Sequence, residues 1–361
     1  MGRFNNEINY RMNLINSDIK NILVIKMCCL GDVVQILPAV NIIKQNFPDA
    51  KITLLADKWV EPLKVHLTDF DDFIVVNNTF SRNLFQKAST AIWLINKLIK
   101  RKFDFALIGH RNNAFGCLTY LAGIKYRLGF SETKHVNIAS GFDDKTHEAQ
   151  RYLSILASCG LNTDNFEVGI KATVSKAVMR NRIGIPLGNS VIGIFPFGGI
   201  NPGMDMRLKR WELEKFKTVG YTIVKKFPDY SVIFFEGKYE DEKYQDKFFQ
   251  PGFFKINIGI NEINACDKFI GNDTGSLHIA NALGIKTIGI FGPTDPDVFG
   301  PLNTGNFFPL VHKINCSPCF NHTIAVSRTN RKYWQGNKFL CHEKHHRCIK
   351  DLDVDKLFEI L

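Results

Sequence analysis

Segments with strand and helix patterns alternate along this chain in two successive series. In the first series, apolar runs typical of strands occur at residues 21–27, 51–56, 73–77 and 103–109. Residues 33–46 and 88–100, which lie between these runs, have the pattern of helices. This βαβα order predicts a parallel sheet covered by helices, because parallel strands need a crossover connection.

The alternation starts again in the second half of the chain. Strand-like apolar runs occur there at residues 190–196, 231–236, 268–271 and 287–291. Helical patterns cover residues 211–227 and 276–283. A chain of 361 residues is long enough for two domains of about 150 residues each. We therefore expect two doubly wound α/β domains, with ligands bound in a cleft at the carboxyl ends of the strands.

The boundary between the domains is expected within residues 174–189, where periodicity is weak and Gly184, Pro186 and Gly188 occur. The predicted parts are a polar extension at residues 1–20, a first domain at residues 21–180 and a second at residues 181–361. The N-terminal residues lack the apolar core of a signal peptide, and no apolar run reaches the about 18 residues of a membrane span. These features predict a cytoplasmic protein.

The chain carries a formal net charge of +11. A basic surface suits a polyanionic partner, and the candidates are nucleic acid, anionic lipid and a phosphorylated glycan. A non-catalytic nucleic-acid-binding protein is therefore a rival class. The sequence has no recognisable nucleic-acid-binding motif and its basic residues are dispersed, so we expect no nucleic-acid partner.

The first candidate site is Leu30-Gly31-Asp32, directly after the first predicted strand. Glycine allows a tight turn and close approach of a ligand there. Asp32 is expected near a helix N-terminus facing the cleft, and the alternative is that it only caps this helix. The turn lacks the GxGxxG pattern of dinucleotide-binding proteins.

The second candidate site is the glycine-rich loop at residues 195–211. A strand that runs into such a loop and then a helix can present backbone N–H groups to phosphate. Lys209 and Arg210 add positive charge at its far end. The alternative is a surface loop with solvated basic residues.

The third candidate site is GNDTGSLH at residues 271–278. Asp273 or Thr274 is expected to cap a helix that starts near Gly275, and the helix N-terminus is then an anion site. His278 lies one turn further along. The alternative for His278 is a packed, hydrogen-bonded helix histidine.

Several ordered segments of the chain resemble those of the lipopolysaccharide heptosyltransferases, glycosyltransferase family 9. They are KMCCLGDVVQILPAV (26–40), LAGIKYRLGF (121–130), HEAQRYLSILASCGL (147–161), KRW (209–211), GNDTGSLHIANALGIKTIGIFGPTDP (271–296) and FGPL (299–302). Segments that match in order along the chain are far less expected by chance than any single motif. The resemblance implies an α/β fold of the GT-B type, with two Rossmann-like doubly wound domains facing a central cleft.

The resemblance also implies a role for individual residues. Asp32 matches the family's proposed catalytic base, and Lys209 matches a lysine that contacts the donor diphosphate. The nucleotide-sugar motif of the second domain corresponds to Asp273, Thr274, Gly275 and His278. Glu236 follows a strand where an acidic residue that holds a ribose is expected, although EGKYEDE departs from the usual Gly-Gly form. Cys28 and Cys29 replace small hydroxyl residues that the family often has before LGD.

The implied reaction is inverting transfer of heptose from ADP-L-glycero-D-manno-heptose to a lipid-linked lipopolysaccharide core acceptor. The first domain would bind the acceptor and the second the nucleotide sugar. Alternatives are a protein acceptor or another nucleotide sugar. The Asp-x-Asp triplets at residues 295–297 and 351–353 are explained by a proline turn and by helix capping, so no catalytic metal or other cofactor is expected.

Four cysteines near the C-terminus form two spaced pairs, Cys316 with Cys319 and Cys341 with Cys348. Four sulfurs can hold zinc tetrahedrally, although the second spacing is wider than usual. By resemblance to autotransporter heptosyltransferases, iron is the other candidate. The alternatives to a structural zinc or iron site are reduced thiols or a disulfide.

The helix predicted at residues 88–100 carries Trp93 and a basic end. Its apolar face is predicted to contain Ala91, Ile92, Ile95, Leu98 and Ile99. We favour an ordinary amphipathic helix that covers the sheet. The functional alternative is peripheral docking to anionic lipid at the inner face of the cytoplasmic membrane, where a lipid-linked acceptor would be presented.

Overall fold

A computed structural model describes residue 14 and residues 17–27, 29–77, 83–201, 203–237, 252–302, 304–327 and 329–361. Cys28 and most of the predicted N-terminal extension lie outside these residues. The chain divides into two compact units, Met1–Gly169 (unit 1) and Ile170–Leu361 (unit 2). Across the described part of the chain, no helix combines the length and the apolarity needed to cross a membrane.

Unit 1 contains a parallel sheet of six strands in the order β3-β2-β1-β4-β5-β6. The strands are β1 Asn21–Ile25, β2 Lys51–Asp57, β3 Asp72–Val76, β4 Phe105–Ile108, β5 Tyr126–Phe130 and β6 Ile138–Ser140. The helices are α1 Leu30–Asn46, α2 Leu84–Arg101, α3 Asn113–Leu121 and α4 Glu148–Ala157. The central strands are apolar along nearly their whole length because helices cover both faces of such a sheet.

Unit 2 contains a second parallel sheet of six strands, in the order β11-β10-β7-β12-β13-β14. The strands are β7 Ser190–Phe195, β10 Tyr230–Glu236, β11 Phe253–Asn257, β12 Lys268–Asn272, β13 Lys286–Phe291 and β14 Phe307–Val311. The helices are α5 Lys176–Ile183, α6 Leu213–Lys226, α7 Ile260–Asn264, α8 Gly275–Ala282, α9 Pro296–Phe299, α10 His322–Val326, α11 Arg347–Lys350 and α12 Asp355–Phe358. Counted along each unit, both sheets have the order 3-2-1-4-5-6 of a Rossmann-like fold.

This strand order fixes where a ligand site can form in each unit. The order reverses between β1 and β4 in unit 1 and between β7 and β12 in unit 2. Loops that leave these neighbouring strands diverge, which opens a crevice at their carboxyl ends. The predicted sites at residues 30–32 and 271–278 lie at these two positions.

A small sheet in unit 2 joins the loop after β7 to the C-terminal part of the chain. Its order is β15-β16-β9-β8, with β8 Ile200–Asn201, β9 Met204–Asp205, β15 Trp334–Gln335 and β16 Lys338–Phe339. Trp334 of β15 and Phe339 of β16 form a hydrophobic cluster with Met206 and Phe320. Two-residue strands carry no periodic pattern, so the sequence analysis did not find this sheet.

The segment expected to link the domains contains a regular helix, α5. Ser175 caps it by accepting a bond from the N–H of Val178, and Gly184 ends it with a φ of 83°. Only Met179 of this helix is buried, which explains the weak periodicity. The division between the two units lies before α5, at Gly169 and Ile170.

Helix α2 differs from its predicted apolar face. Leu94 and Leu98 are buried against the sheet, whereas Ile92 and Ile99 are exposed. Ala91 is exposed as well, so the predicted assignment of Ala91, Ile92 and Ile99 to the packed face is wrong. Only part of the apolar surface of this helix packs against the core.

Candidate functional site

A buried lysine organises the polar groups at the carboxyl end of β1. The Nζ atom of Lys26 lies 2.6 Å from the hydroxyl oxygen of Tyr152, 3.3 Å from Oε1 of Glu148 and 3.5 Å from Oδ2 of Asp32. Glu148 and Tyr152 are one turn apart on α4, and the tyrosine hydroxyl donates to Oε1 of Glu148 at 2.8 Å. We call Lys26, Asp32, Glu148 and Tyr152 the Asp32 network.

Asp32 is the third residue of α1 and does not occupy the cap position, which belongs to Cys29. Its carboxylate accepts a hydrogen bond from the backbone N–H of Cys29, as an acidic residue at this position can. The interpretation of Asp32 as the N-cap residue is therefore wrong. Its side chain keeps 40% of its surface exposed, while Lys26, Glu148 and Tyr152 are buried. A substrate hydroxyl can therefore reach Asp32.

The surroundings of Asp32 raise its pKa to about 6. Burial is the largest cause, Lys26 lowers the pKa, and the charge of Glu148 raises it again. The exposed part of the side chain lets water weaken these effects. Burial alone would lower the pKa of the Lys26 ammonium, but the Tyr152 oxygen and the carboxylates of Asp32 and Glu148 raise it well above its ordinary value. Lys26 therefore keeps its positive charge.

His110 lies beside this network at the carboxyl end of β4. Its Nε2 atom accepts a hydrogen bond from the backbone N–H of Met27 at 2.9 Å. Burial and the charge of Lys26 lower the pKa of His110 to about 3. The imidazole is therefore neutral near pH 7 and helps to hold the backbone that leads from β1 to α1.

In unit 2, Asp273 is the centre of a second polar group. Oδ2 of Asp273 accepts bonds from Nζ of Lys209 at 2.6 Å and from the hydroxyl of Thr294 at 2.7 Å. Nε2 of His278 lies 4.0 Å from Oδ1 of the same carboxylate. The structure thus brings together three predicted site residues, Lys209, Asp273 and His278, and adds Thr294. We call these four residues the Asp273 network.

Asn272, the last residue of β12, fixes the loop that carries Lys209. Its Oδ1 atom accepts from the backbone N–H of Trp211 at 2.9 Å, and its Nδ2 atom donates to the carbonyl oxygen of Pro196 at 2.8 Å. Gly198 of this loop, with a φ of 95°, lies so close to Thr274 that an added Cβ would be 2.3 Å from its Cγ2 atom. We call residues 196–211 the donor loop because of its predicted role.

Thr274, one of the two residues expected to cap α8, occupies its N-cap position, although its side chain makes no capping hydrogen bond, and Gly275 begins the helix. The Thr274 hydroxyl donates to the carbonyl oxygen of Asn272 at 3.2 Å and lies 2.9 Å from the hydroxyl of Ser276. It is therefore engaged away from the backbone N–H groups of the first helical turn. These N–H groups, together with the helix dipole, favour an anion at this end of α8.

Glu236 ends β10 and pairs with Lys255 of β11, where the two charged groups are 2.8 Å apart. None of the hydrogen bonds or ion pairs found among the described residues joins Glu236 to the Asp273 network. Its predicted contact with a ribose stays a prediction.

The four C-terminal cysteines lie near one another. Burial is the largest cause that raises the pKa of Cys319 to about 12, and the neighbouring thiols of Cys348, Cys341 and Cys316 add to it. Burial, Cys341 and Cys316 likewise raise the pKa of Cys348 to about 11. Within the described parts of the chain, however, no group of three or more His, Cys, Asp or Glu residues has an arrangement that could hold a metal ion.

The cysteine-containing segment instead contacts the donor loop. Nε2 of His346 lies 2.6 Å from the carbonyl oxygen of Leu208. The ring of Phe320 lies 5.6 Å from Nζ of Lys209. Cys319 packs against the hydrophobic cluster that contains Met206 and Phe320. The C-terminal part of unit 2 therefore supports the loop that positions Lys209.

Solved structures with the same architecture establish the fold of this protein. The structure of Escherichia coli ADP-heptose LPS heptosyltransferase II superposes with a TM-score of 0.67 at 16% identity, covering 94% of this chain and 96% of that one. A glycosyl transferase family 9 structure from Veillonella parvula gives a TM-score of 0.69 at 19% identity, covering 94% and 100%. At these identities the likeness establishes the fold alone, and the chain has an α/β fold of the GT-B type.

The sequence comparisons identify the family. The profile of glycosyltransferase family 9 (heptosyltransferase) matches residues 92–329. Lipooligosaccharide heptosyltransferase 2 of Campylobacter jejuni is 26% identical to this chain, and the match covers 91% of this chain and 93% of that protein. The chain belongs to glycosyltransferase family 9 and is a transferase. The fold class and the family predicted from the sequence are confirmed, and the family favours the enzyme over the nucleic-acid-binding alternative.

Sequence reasoning missed five residues of these two networks and their supports: Lys26, Glu148, Tyr152, Asn272 and Thr294. A signal was present, because all five lie in the segments that resemble the family. The contacts of Lys26 with Glu148 and Tyr152 depend on how α4 packs, which no local pattern shows.

Proposed function

We propose that this protein transfers heptose, with inversion, from ADP-L-glycero-D-manno-heptose to a lipopolysaccharide core acceptor. The donor is suggested by the Escherichia coli relative, whose description names ADP-heptose. The acceptor is suggested by the relative named lipooligosaccharide heptosyltransferase 2. The observation that carries the proposal is the partly exposed carboxylate of Asp32 beside a buried lysine, because inverting transfer needs one base for the acceptor hydroxyl.

Asp32 is the proposed general base. An ionised carboxylate there removes the proton of the acceptor hydroxyl as the oxygen attacks the anomeric carbon of the donor. A pKa near 6 suits this role, since the group is ionised at neutral pH and still has useful proton affinity. Residues 21–180 are proposed to bind the acceptor.

Residues 181–361 are proposed to bind the nucleotide sugar. The N-terminus of α8 at Thr274 and Gly275 is suited to the diphosphate, since its backbone N–H groups and dipole favour negative charge. Lys209 is held by Asp273, the residue before Thr274, and would neutralise charge on the leaving ADP. His278 is proposed to contact the donor, and Glu236 its ribose.

The proposed reaction uses no metal ion or other cofactor, because Lys209 and the start of α8 supply the positive charge that the leaving diphosphate needs. Transfer is expected to proceed in chelator-treated protein, and a strict need for magnesium or manganese would contradict this. Zinc or iron at Cys316, Cys319, Cys341 and Cys348 stays a prediction, which elemental analysis of protein purified without chelators tests.

Peripheral contact with an anionic membrane, at the inner face of the cytoplasmic membrane, is the second part of the proposal. Helix α2 exposes the large apolar side chains of Phe85, Ile92, Trp93 and Ile99. Lys97 lies over the ring of Trp93, at 4.7 Å from its centroid, and exposed Lys100 follows. An exposed apolar face with lysines fits a surface of anionic lipid, from which a lipid-linked acceptor is taken.

The function is tested by incubating the protein with ADP-L-glycero-D-manno-heptose and a purified lipopolysaccharide core acceptor. Mass spectrometry is expected to show addition of one heptose, and NMR of the product an inverted anomeric configuration. ADP-glucose and a UDP-sugar are tested as comparison donors, to measure the specificity for the sugar and for the nucleotide. Heptose found on a protein acceptor, or faster transfer from another nucleotide sugar, would replace this proposal by one of its two alternatives.

A further inference from the structure

The Asp32 network contains more ionisable groups than the proposed reaction uses. Lys26, Glu148 and Tyr152 are 4%, 7% and 3% exposed, so all three are buried. One ammonium group faces two carboxylates, those of Asp32 and Glu148. Burying charged groups is costly unless they are paired. Glu148 is a buried carboxylate that shares this lysine with the partly exposed Asp32, and its presence calls for a functional reason.

We propose that Glu148 and Tyr152 are positioning residues that act through Lys26 to set the orientation and the proton affinity of Asp32. The inference rests on the proposed role of Asp32 as the general base, and it extends that role to two residues of α4. Neither Glu148 nor Tyr152 needs to touch either substrate for this function.

The distances from the Lys26 ammonium group to its three partners differ. An ammonium group has three N–H donors. Tyr152 takes the shortest contact at 2.6 Å, Glu148 lies at 3.3 Å, and Asp32 is the most distant at 3.5 Å. Lys26 thus orients Asp32 without forming a tight ion pair with it alone. A carboxylate paired tightly with its own lysine has a depressed pKa and is a weaker base.

The remaining ionisable groups near this network do not replace either residue. His110, at the end of β4, has a lowered pKa because of burial and Lys26, so it is neutral. The guanidinium of Arg151, also on α4, donates to the carbonyl oxygens of Asp143 and Asp144. Lys26 of the β1 end and Glu148 of α4 are therefore the charged side chains that act most directly on Asp32 of α1.

The test compares the acidic limb of the pH profile of kcat/KM in single variants. Glu148→Gln removes a negative charge and leaves Lys26 more strongly available to Asp32. Both effects lower the pKa of Asp32, so the limb is expected to move about one unit towards acid pH. Tyr152→Phe frees one donor of Lys26 and is expected to move the limb in the same direction by less. Lys26→Met is expected to move it towards alkaline pH.

Glu61→Gln is the matched control, because Glu61 is an exposed glutamate of unit 1. It makes the same chemical change and is expected to leave the limb in place. If Glu148 serves only to hold α4 against β1, then Glu148→Gln lowers the thermal unfolding temperature and leaves the limb where it was. An unshifted limb in folded Glu148→Gln and Tyr152→Phe overturns the inference.

A second readout separates this inference from the proposed function. Carbon-13 NMR of labelled aspartate follows the protonation of Asp32 directly, with the resonance assigned by its loss in Asp32→Asn. A lower pKa of Asp32 in Glu148→Gln than in the parent supports the inference without any activity measurement, and an unchanged pKa overturns it. Full activity of Asp32→Asn would instead refute the role of Asp32 as base.

Discussion

Asp32 combines two properties that a single side chain rarely has at the surface of a protein. Its carboxylate is accessible, yet the groups that control its charge are buried beneath it. Access allows a substrate hydroxyl to approach, and the buried lysine keeps the carboxylate in one place. An accessible carboxylate whose position and charge are set by buried neighbours is consistent with the role of Asp32 as the proposed base.

Replacing Asp32 by Asn is expected to reduce kcat by about 100- to 10,000-fold, the usual cost of losing a general base. The affinity for ADP, measured by isothermal titration calorimetry, is expected to stay within about twofold, because the proposed diphosphate groups belong to unit 2. Turnover close to that of the parent would show that Asp32 serves only as part of the α1 N-terminus.

The same variant is expected to unfold at an equal or higher temperature near pH 7. The pKa of Asp32 is raised in the folded protein, so its ionised form destabilises the folded state above about pH 6. Asn removes this cost and leaves Lys26 paired with Glu148. Differential scanning calorimetry checks this expectation, and a marked loss of stability would mean that a fall in rate cannot be ascribed to chemistry alone.

The pH dependence of the parent enzyme follows from the same shift. The base works only when ionised, so kcat/KM is expected to fall about tenfold per pH unit below an apparent pKa near 6 and to level off above it. An acidic limb at the ordinary value for aspartate would show that the environment of Asp32 does not raise its pKa.

The residues of the candidate site were predictable to different degrees. Motif spacing was enough to select Asp273 and His278, which lie five residues apart on a strand end and the following helix. It also selected Lys209, which meets Asp273 only after the donor loop has folded back. Lys26 and Glu148 are 122 positions apart, and their contact depends on the packing of α4. A contact of that kind has no local signature.

At the scale of single elements, α2 shows most clearly why pattern and burial differ. Its apolar residues outnumber those that the sheet can cover, and Phe85, Ile92 and Ile99 are left exposed. The sequence pattern correctly predicts a helix but cannot tell which of two apolar stripes faces the core. The exposed stripe is the part of α2 for which we propose contact with lipid.

The double substitution Ile92→Ser and Phe85→Ser is expected to weaken binding to anionic vesicles. Without these two side chains, the free energy of binding to the vesicles is expected to be weaker by about 1–2 kcal/mol, because their partial burial in lipid is lost. This corresponds to roughly a tenfold lower affinity. Vesicle flotation measures it. Leu187→Ser, which changes a fully exposed apolar residue of unit 2, is the matched control and is expected to bind like the parent. Equal binding by the double variant would contradict this role of α2.

At the scale of the whole chain, each unit has the strand order 3-2-1-4-5-6 and polar groups at the point where the order reverses. The alternation of strands and helices was sufficient to predict two such units, because each buried strand is a continuous apolar run. The small sheet of β8, β9, β15 and β16 was not predicted, since strands of two residues are too short to show a pattern of apolar and polar residues. It forms only because distant segments meet.

If the donor loop binds ADP as we propose, that small sheet links the cysteine-containing segment to the donor thermodynamically. His346 and Phe320 hold the loop that carries Lys209. Coupling free energies are reciprocal, so a segment that favours the binding geometry of the loop is itself stabilised when ADP occupies the loop. Saturating ADP is therefore expected to slow alkylation of Cys316 and Cys341 severalfold, measured by mass spectrometry, while Cys117 of unit 1 reacts at an unchanged rate. Alkylation of Cys316 and Cys341 at the same rate with and without ADP would mean that the cysteine-containing segment and the donor loop fluctuate independently. If they are linked, the thiols report donor occupancy from outside the site.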